Sequence, residues 1–257
     1  MDILQEIAAA KRLEIAAMKV ATPIAALERT VIPAERFSFQ RALLRSGNQI
    51  IAEIKQKSPS KGVLSGKFDV AKLAASYYAG GAAALSILTD KKYFGGDPAY
   101  IALAKTVAKL PVLYKDFLID EYQLYHARSV GADAVLLIVR LMTRKSLTDF
   151  LARAAKLELD CLVETHSEPE IEIAVDSGAQ IVGVNCRDLS NFSVSLDVAN
   201  KLADKIPAGT IRVAESGIST PENIRTLRQA GYNCFLVGES LMKSTDPVEL
   251  LKSLVAT

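Results

Sequence analysis

The sequence contains no tryptophan, two histidines and three cysteines in 257 residues, and each shortage excludes some chemistry. Cys161, Cys186 and Cys234 form no CxxC pair and have no metal-ligand spacing. With only His126 and His166 to join them, no zinc shell can be assembled, so no metal is expected. A sparse, odd thiol count fits a reducing compartment, with the cysteines lying in or next to apolar runs as inert core side chains. No stretch approaches the roughly 18 apolar residues that span a bilayer. The first twenty residues carry a charge every few positions and lack a signal peptide's apolar core. A soluble, cytoplasmic protein with no membrane partner is expected. An excess of one charge is also missing: 31 basic residues face 29 acidic ones. That balance argues against general nucleic-acid binding, yet a local basic loop can still hold a phosphate.

Hydrophobic residues make up 50% of the chain, enough for a sizeable core in one large domain. Residues 1–48 have a helical pattern, broken at Pro23 and Pro33, and form an N-terminal extension. From there to residue 257 a rhythm sets in. Aliphatic runs at 50–54, 83–88, 111–114, 134–139, 160–163, 181–184, 210–214 and 234–237 are each followed by a longer segment of helical period. Helix-start signals recur at Asp97-Pro98, Asp120 with Gln123, Ser167 with Glu170, Thr220-Pro221 and Asp246-Pro247 with Glu249. Glycines at 80–81, 131, 178, 209 and 231 stop helices just before the next run. Alternating βα units imply parallel strands with right-handed crossovers. Eight of them, with no GxGxxG turn after the first, predict an α/β fold of the (β/α)8 TIM-barrel type with a helical N-terminal extension, rather than an open doubly wound sheet.

In such a barrel the carboxyl ends of the strands form the functional face. Glu53 and Lys55, two apart on an extended strand, project to one side with Ile51. Other strand ends carry Lys115-Asp116, Glu164-Thr165-His166, Asn185-Cys186-Arg187-Asp188, Glu215-Ser216-Gly217 and Gly238-Glu239-Ser240. Ammonium and carboxylate groups around one mouth offer acids and bases of both charge types, and a structural ring of ion pairs is the plainer alternative. The last two strand ends place glycines where backbone N–H groups can approach a phosphate. Residues 238–243 suit the short extra helix that completes such a site. His126 reads as a packing residue, whereas His166 comes two positions after Glu164.

Several motifs resemble the indole-3-glycerol phosphate synthase family over essentially the whole chain. The most specific is Ile51-Ala52-Glu53-Ile54-Lys55 running into Lys57-Ser58-Pro59-Ser60-Lys61-Gly62. Leu85-Ser86-Ile87-Leu88-Thr89-Asp90, Lys115-Asp116-Phe117, Leu162-Val163-Glu164, Asn185 with Arg187-Asp188-Leu189, Glu215-Ser216-Gly217-Ile218 and Leu236-Val237-Gly238 extend it. Tyr114, Cys186 and Asp97 depart from the usual residues. The resemblance implies closure of the indole ring of 1-(2-carboxyphenylamino)-1-deoxyribulose 5-phosphate with loss of CO2 and water, and no cofactor. It assigns catalysis to Lys115 as acid, Glu164 as base, Glu53 in proton traffic, Lys55 beside the substrate carboxylate and Asn185 on a hydroxyl. Ser58, Arg187, Ser216, Gly217, Gly238 and Glu239 would bind the phosphorylated small molecule. It also favours an extension that caps the mouth over one packed underneath, and a monomer or weak dimer. The related phosphoribosylanthranilate isomerases would require a cysteine and an aspartate where Glu53 and Asn185 stand. A partner- or RNA-binding barrel using Lys55, Lys57, Lys61 and Lys67 is disfavoured by the absence of aromatic stacking residues in that loop.

Overall fold

A computed structural model describes residues 3–31, 38–58, 62–63, 68–188 and 192–257. Eight parallel strands close into a barrel: β1 (Gln49–Ile54), β2 (Ala84–Leu88), β3 (Val112–Lys115), β4 (Ala134–Ile138), β5 (Asp160–Thr165), β6 (Ile181–Asn185), β7 (Ile211–Glu215) and β8 (Cys234–Val237). Each strand pairs with its sequence neighbour, and β8 closes on β1 through Ile51 opposite Leu236. Alternate residues point inward. Ile51, Ala84, Leu113, Ala134, Leu162, Ile181, Val213 and Leu236 fill the interior, and their neighbours pack against the outer helices. Every strand begins and ends within two residues of the apolar run that predicted it.

The difference at the carboxyl ends matters. Lys115, Glu164, Thr165, Asn185 and Glu215 are not loop residues but the last rungs of their strands, with Leu88 paired to Lys115, Ile138 to Glu164 and Asn185 to Glu215. Charge ends an apolar run in a sequence, whereas the backbone ladder continues through a charged side chain that has partners inside the barrel.

Of the five expected helix starts, two cap as expected, while Asp97 and Asp120 accept from the Ala99 and Tyr122 N–H groups but each sits one residue before its helix's cap position. Asp246 accepts from the Glu249 N–H, and Thr220 and Asn223 form a reciprocal pair at the start of the helix Pro221–Gln229. Ser167, in contrast, makes no side-chain cap; Glu170 instead turns back to accept from the His166 N–H at 2.7 Å.

The N-terminal extension covers both ends of the barrel, where the sequence left a choice of one. Its first helix, α1 (Ile3–Ala21), lies across the mouth and buries Leu4, Ile7, Ala8, Lys11 and Ile15 along one face. The Tyr122 hydroxyl donates to the Thr22 carbonyl at 2.9 Å, just past the helix end, and lies 3.2 Å from the Met18 carbonyl, which accepts from the Thr22 N–H. The second helix, α2 (Ile24–Arg29), runs down the side, with Leu27 against Tyr122 and Tyr125. The third, α3 (Ser38–Leu43), plugs the bottom: Phe39 and Leu43 sit fully buried among the first inward side chains, and the Gln40 N–H donates to Asp160 at the start of β5.

Lys11 locks α1 in place. It is buried, and its ammonium lies 2.9 Å from Asp90 and 2.9 Å from Asp116, located just after β2 and β3. Burial works against its charge, but Asp116 and Asp90 outweigh it and hold the lysine pKa above its ordinary value. Asp90 also caps the single-turn helix Lys91–Phe94, and Thr89 donates to Asp116 at 2.9 Å. Removing one partner of such a cluster strands the others without compensation. Lys11→Met is therefore expected to lower global stability by about 3–5 kcal/mol in urea denaturation. Glu14→Gln, at the 44% exposed third carboxylate, should cost under about 1 kcal/mol.

Candidate active site

The inward residues of the last ladder rungs converge at the mouth. The Lys115 ammonium lies 3.3 Å from Glu215 Oε2 and 3.7 Å from Glu164 Oε2. Glu53 is buried beside them and pairs with Lys55, which is bent back over the strand end as the same-side reading of these two residues predicts. Burial opposes ionisation of Glu53, yet Lys55 and then Lys115 outweigh it and hold its carboxyl below the ordinary range. Lys115 is held above the ordinary lysine value: burial lowers it, but Glu215, Glu164 and Glu53 together win. Glu215 goes the other way. Burial dominates, Glu164 adds like-charge repulsion, and the carboxyl is pushed up to about 7 despite Lys115.

Two carboxylates that share one ammonium out of water cannot both stay ionised cheaply, so Glu215 gives up its proton only as pH rises to near neutrality. Its Oε1 has no hydrogen-bond partner among the described residues and rests against Gly183, where a Cβ would come within 2.1 Å. Gly238 plays the same part for Glu53, with a Cβ placed 2.4 Å from Oε1. Both glycines are needed because a carboxylate lies on the bare backbone.

These groups line a cavity of about 680 Å³ with three distinct regions. At one side Ser216 and Gly217 take consecutive left-handed conformations (φ +69° and +79°), facing Gly238 and the short helix Glu239–Lys243. Ser240 ties the two loops by donating to the Ile218 carbonyl at 2.9 Å. The helix start carries no side-chain cap, leaving main-chain donors for an anion. Arg187 stands near, 3.5 Å from Glu239, and Lys243 adds a second cation on that rim, 2.8 Å from Glu239. Asn185 accepts from the Arg187 N–H at 3.0 Å and shapes the turn. At the other side Phe94 and Phe117, with ring centroids 5.9 Å apart, join Leu4 and Ile7 of α1 and Leu136 and Ile138 to form an apolar end. Lys115, Glu164, Glu215 and Glu53 lie among these linings.

Every residue singled out in the sequence for catalysis or binding lines this cavity, Ser58 included. The sequence did not single out Glu215, the aromatic pair or α1 as parts of one site. Glu215 was visible at a strand end, but only the register sets it against Lys115. The basic loop does not present a charged patch among the described residues: Lys55 turns inward to Glu53, and Lys57 donates to the Lys92 carbonyl. Lys61 and Lys67 lie outside the described residues. His126 stacks on Tyr122 as a packing residue. Cys186 and Cys234 are buried with their thiols pushed up to about 11 and about 12 by desolvation, which leaves them inert. No helix of the described residues is long and apolar enough to cross a membrane.

The family model for indole-3-glycerol phosphate synthase matches residues 4–254. The chain belongs to the indole-3-glycerol phosphate synthase family. It is 44% identical over 258 residues to the indole-3-glycerol phosphate synthase of Aromatoleum aromaticum, covering 98% of each chain. It is also 42% identical over 254 residues to that of Bacteroides thetaiotaomicron, covering 98% of this chain and 97% of the relative. A solved 3-hexulose-6-phosphate synthase shares the fold, with a TM-score of 0.64 at 16% identity over 81% of this chain and 98% of that one. In this family member the buried acid cluster has two measurable consequences. Gly183→Ala should displace Glu215 and cut kcat about 100-fold while the far-ultraviolet circular dichroism stays parental. Because the folded Glu215 pKa of about 7 lies above its ordinary 4.5, its contribution to stability is present below 4.5 and is lost as pH rises through 7. Glu215→Gln should therefore gain stability relative to the parent across that window in urea titrations, and show no such gain below it.

Proposed function

We infer that this chain closes the indole ring of 1-(2-carboxyphenylamino)-1-deoxyribulose 5-phosphate, releasing CO2 and water and leaving indole-3-glycerol phosphate. The observation that supports this reading best is the three-part cavity: an anion cradle, a central cluster of ammonium and carboxylates, and an aromatic end. The substrate has the same three parts in the same order. Its phosphate fits the loops at Ser216, Gly217, Gly238 and Glu239. Its aryl ring fits between Phe94, Phe117 and the apolar face of α1. The ketone to be attacked then falls beside Lys115.

On this placement the ring carbon that bears the carboxylate attacks the ketone carbon, and Lys115 delivers a proton to the ketone oxygen. Lys55 and Arg187 hold the substrate carboxylate until the C–C bond to CO2 breaks and its electrons restore the aromatic ring. Lys55 reaches that group by exchanging its ion pair with Glu53 for one with the substrate. Asn185 orients a chain hydroxyl, and Ser58 closes over the site from the first loop. The new hydroxyl then takes up a second proton and leaves as water, while Glu164 removes a proton from the adjacent methylene carbon. Glu53 passes protons within the cluster.

Flanking carboxylates make Lys115 a weaker acid than a lysine lowered by burial alone, contrary to what the acid role calls for. Protonation of Glu215 removes one of the anions that hold the ammonium's proton, so the cluster tunes Lys115 without a second cation. No step transfers a hydride or an electron, so the chemistry asks for no redox cofactor. We place the protein in the cytoplasm as a monomer or weak dimer, and light scattering after gel filtration checks the latter.

Fluorescence detection of indole formation tests the assignment. Lys115→Ala should lose at least about 100-fold in kcat and still bind substrate, and Glu164→Gln should lose a similar factor with an intermediate accumulating after CO2 release. Near-parental turnover by either variant removes that residue from its role.

A further inference from the structure

The proposed reaction, which this inference takes as its starting point, consumes protons. Two are delivered to the departing oxygen and one is recovered from carbon, because the carboxylate leaves as neutral CO2. One proton per turnover must therefore enter from solvent and return to Lys115 before the next cycle. The structure offers a second way in.

Glu164 faces two partners with its two oxygens. Oε2 is 3.7 Å from Lys115 Nζ, and Oε1 is 3.5 Å from His166 Nε2. The His166 side chain is only 4% exposed, and Nε2 makes no hydrogen bond among the described residues. A buried ring nitrogen pointed at a carboxylate, half an ångström beyond bonding distance, is what a proton-transfer contact looks like before the site closes. The opposite ring nitrogen, Nδ1, lies 3.4 Å from Glu170. Glu170 in turn accepts from the His166 N–H at 2.7 Å and from Arg140 at 2.8 Å. Burial opposes its charge, but these bonds prevail and hold its carboxyl down to about 2, so it stays an anion next to the ring. His166 also lines a separate cavity of about 230 Å³ with Arg140, Cys186, Asp188, Ser193, Ser195 and Val198, large enough for water and offering it polar partners. Asn185 and Arg187 line both cavities, His166 lines the small one and Glu164 lines the large one.

We propose that His166 is the proton inlet of the active site, connecting water in the small cavity to Glu164 and through it to Lys115. A hydronium ion that reaches the small cavity from solvent gives a proton to the imidazole and leaves as water. The imidazolium, stabilised by Glu170, gives a proton from Nε2 to Glu164 Oε1. Rotation of the protonated carboxyl about its Cγ–Cδ bond turns that O–H toward Lys115, and Glu164 gives the proton to the neutral amine left by catalysis. Each transfer breaks one N–H or O–H bond and forms another, and no other reactant is needed. Among the described residues, the charged groups around the ring are Glu164 from β5, Glu170 from the next helix, Arg140 from the turn after β4 and Glu215 from β7, with Arg187 and Asp188 after β6 lining the same small cavity. His166 acts through Glu164 and touches no substrate, so it is a positioning and relay residue.

The test separates relay from packing. In His166→Ala, CO2 release in the first turnover should keep the parental rate, since Lys115 begins protonated, whereas steady-state indole formation falls at least about tenfold with KM unchanged. Added imidazole should restore part of the steady-state rate by occupying the vacated space. Glu170→Gln leaves the ring in place but destabilises the imidazolium, so the alkaline limb of kcat should move to lower pH. Parental steady-state kcat in His166→Ala, or equal slowing of both phases without imidazole rescue, overturns the inlet. If His166→Ala does not fold, an unmoved alkaline limb in Glu170→Gln overturns it instead. Parental turnover by Glu164→Gln would instead sink the base assignment on which the inlet rests, which distinguishes the two failures.

Discussion

A single ammonium, held out of bulk water between Glu164 and Glu215, sets the terms for the rest of this site. Lys115 is the last rung of β3, and the two carboxylates are rungs of β5 and β7, so no local sequence brings them together. The barrel does so by turning alternate residues of every strand to one axis. Once the three groups meet, their protonation states are linked: the lysine keeps its charge, and Glu215 is driven toward neutrality. The low dielectric strengthens each pairing and also makes each unpaired charge costly. That explains the bare glycines at 183 and 238, since the carboxylates must lie directly on backbone to reach the lysine.

The covering of the mouth answers the same constraint. A charged cluster needs shelter from water on its open side, and α1 supplies apolar surface there through Leu4 and Ile7 while Lys11 ties it to Asp90 and Asp116. Asp116 is next in sequence to Lys115, so the anchor of the helix and the central ammonium leave the same strand end in opposite directions. The extension then crosses to the far side, where Phe39 and Leu43 close the barrel floor. One 48-residue segment thus shapes the substrate end and completes the core, a division that a helical pattern alone does not reveal.

Access for protons is the complementary demand. A cavity that excludes water around the reacting carbon also cuts off the acid from its supply. Glu164, which lines the main cavity, has Lys115 on one oxygen and His166, which lines the small cavity, on the other.

Fold class was legible in the chain because period and punctuation are local properties. Eight apolar runs, most of them bounded by helix-start signals and glycine stops, leave few topologies for parallel strands. The strand-end motifs were legible too: Glu53 with Lys55, Lys115, Glu164, Asn185 and the glycine-bearing ends at 216–217 and 238–239 all line one cavity. Strand limits were read short at Lys115, Asn185 and Glu215, since a charged residue ends an apolar pattern without ending a hydrogen-bond ladder. Tertiary structure alone decided which strand ends face one another, that Glu215 shares the lysine with Glu164, that α1 reaches the aromatic end, and that His166 has a cavity of its own. Those are distances between residues up to a hundred positions apart, and their pKa consequences depend on burial, which no local pattern encodes.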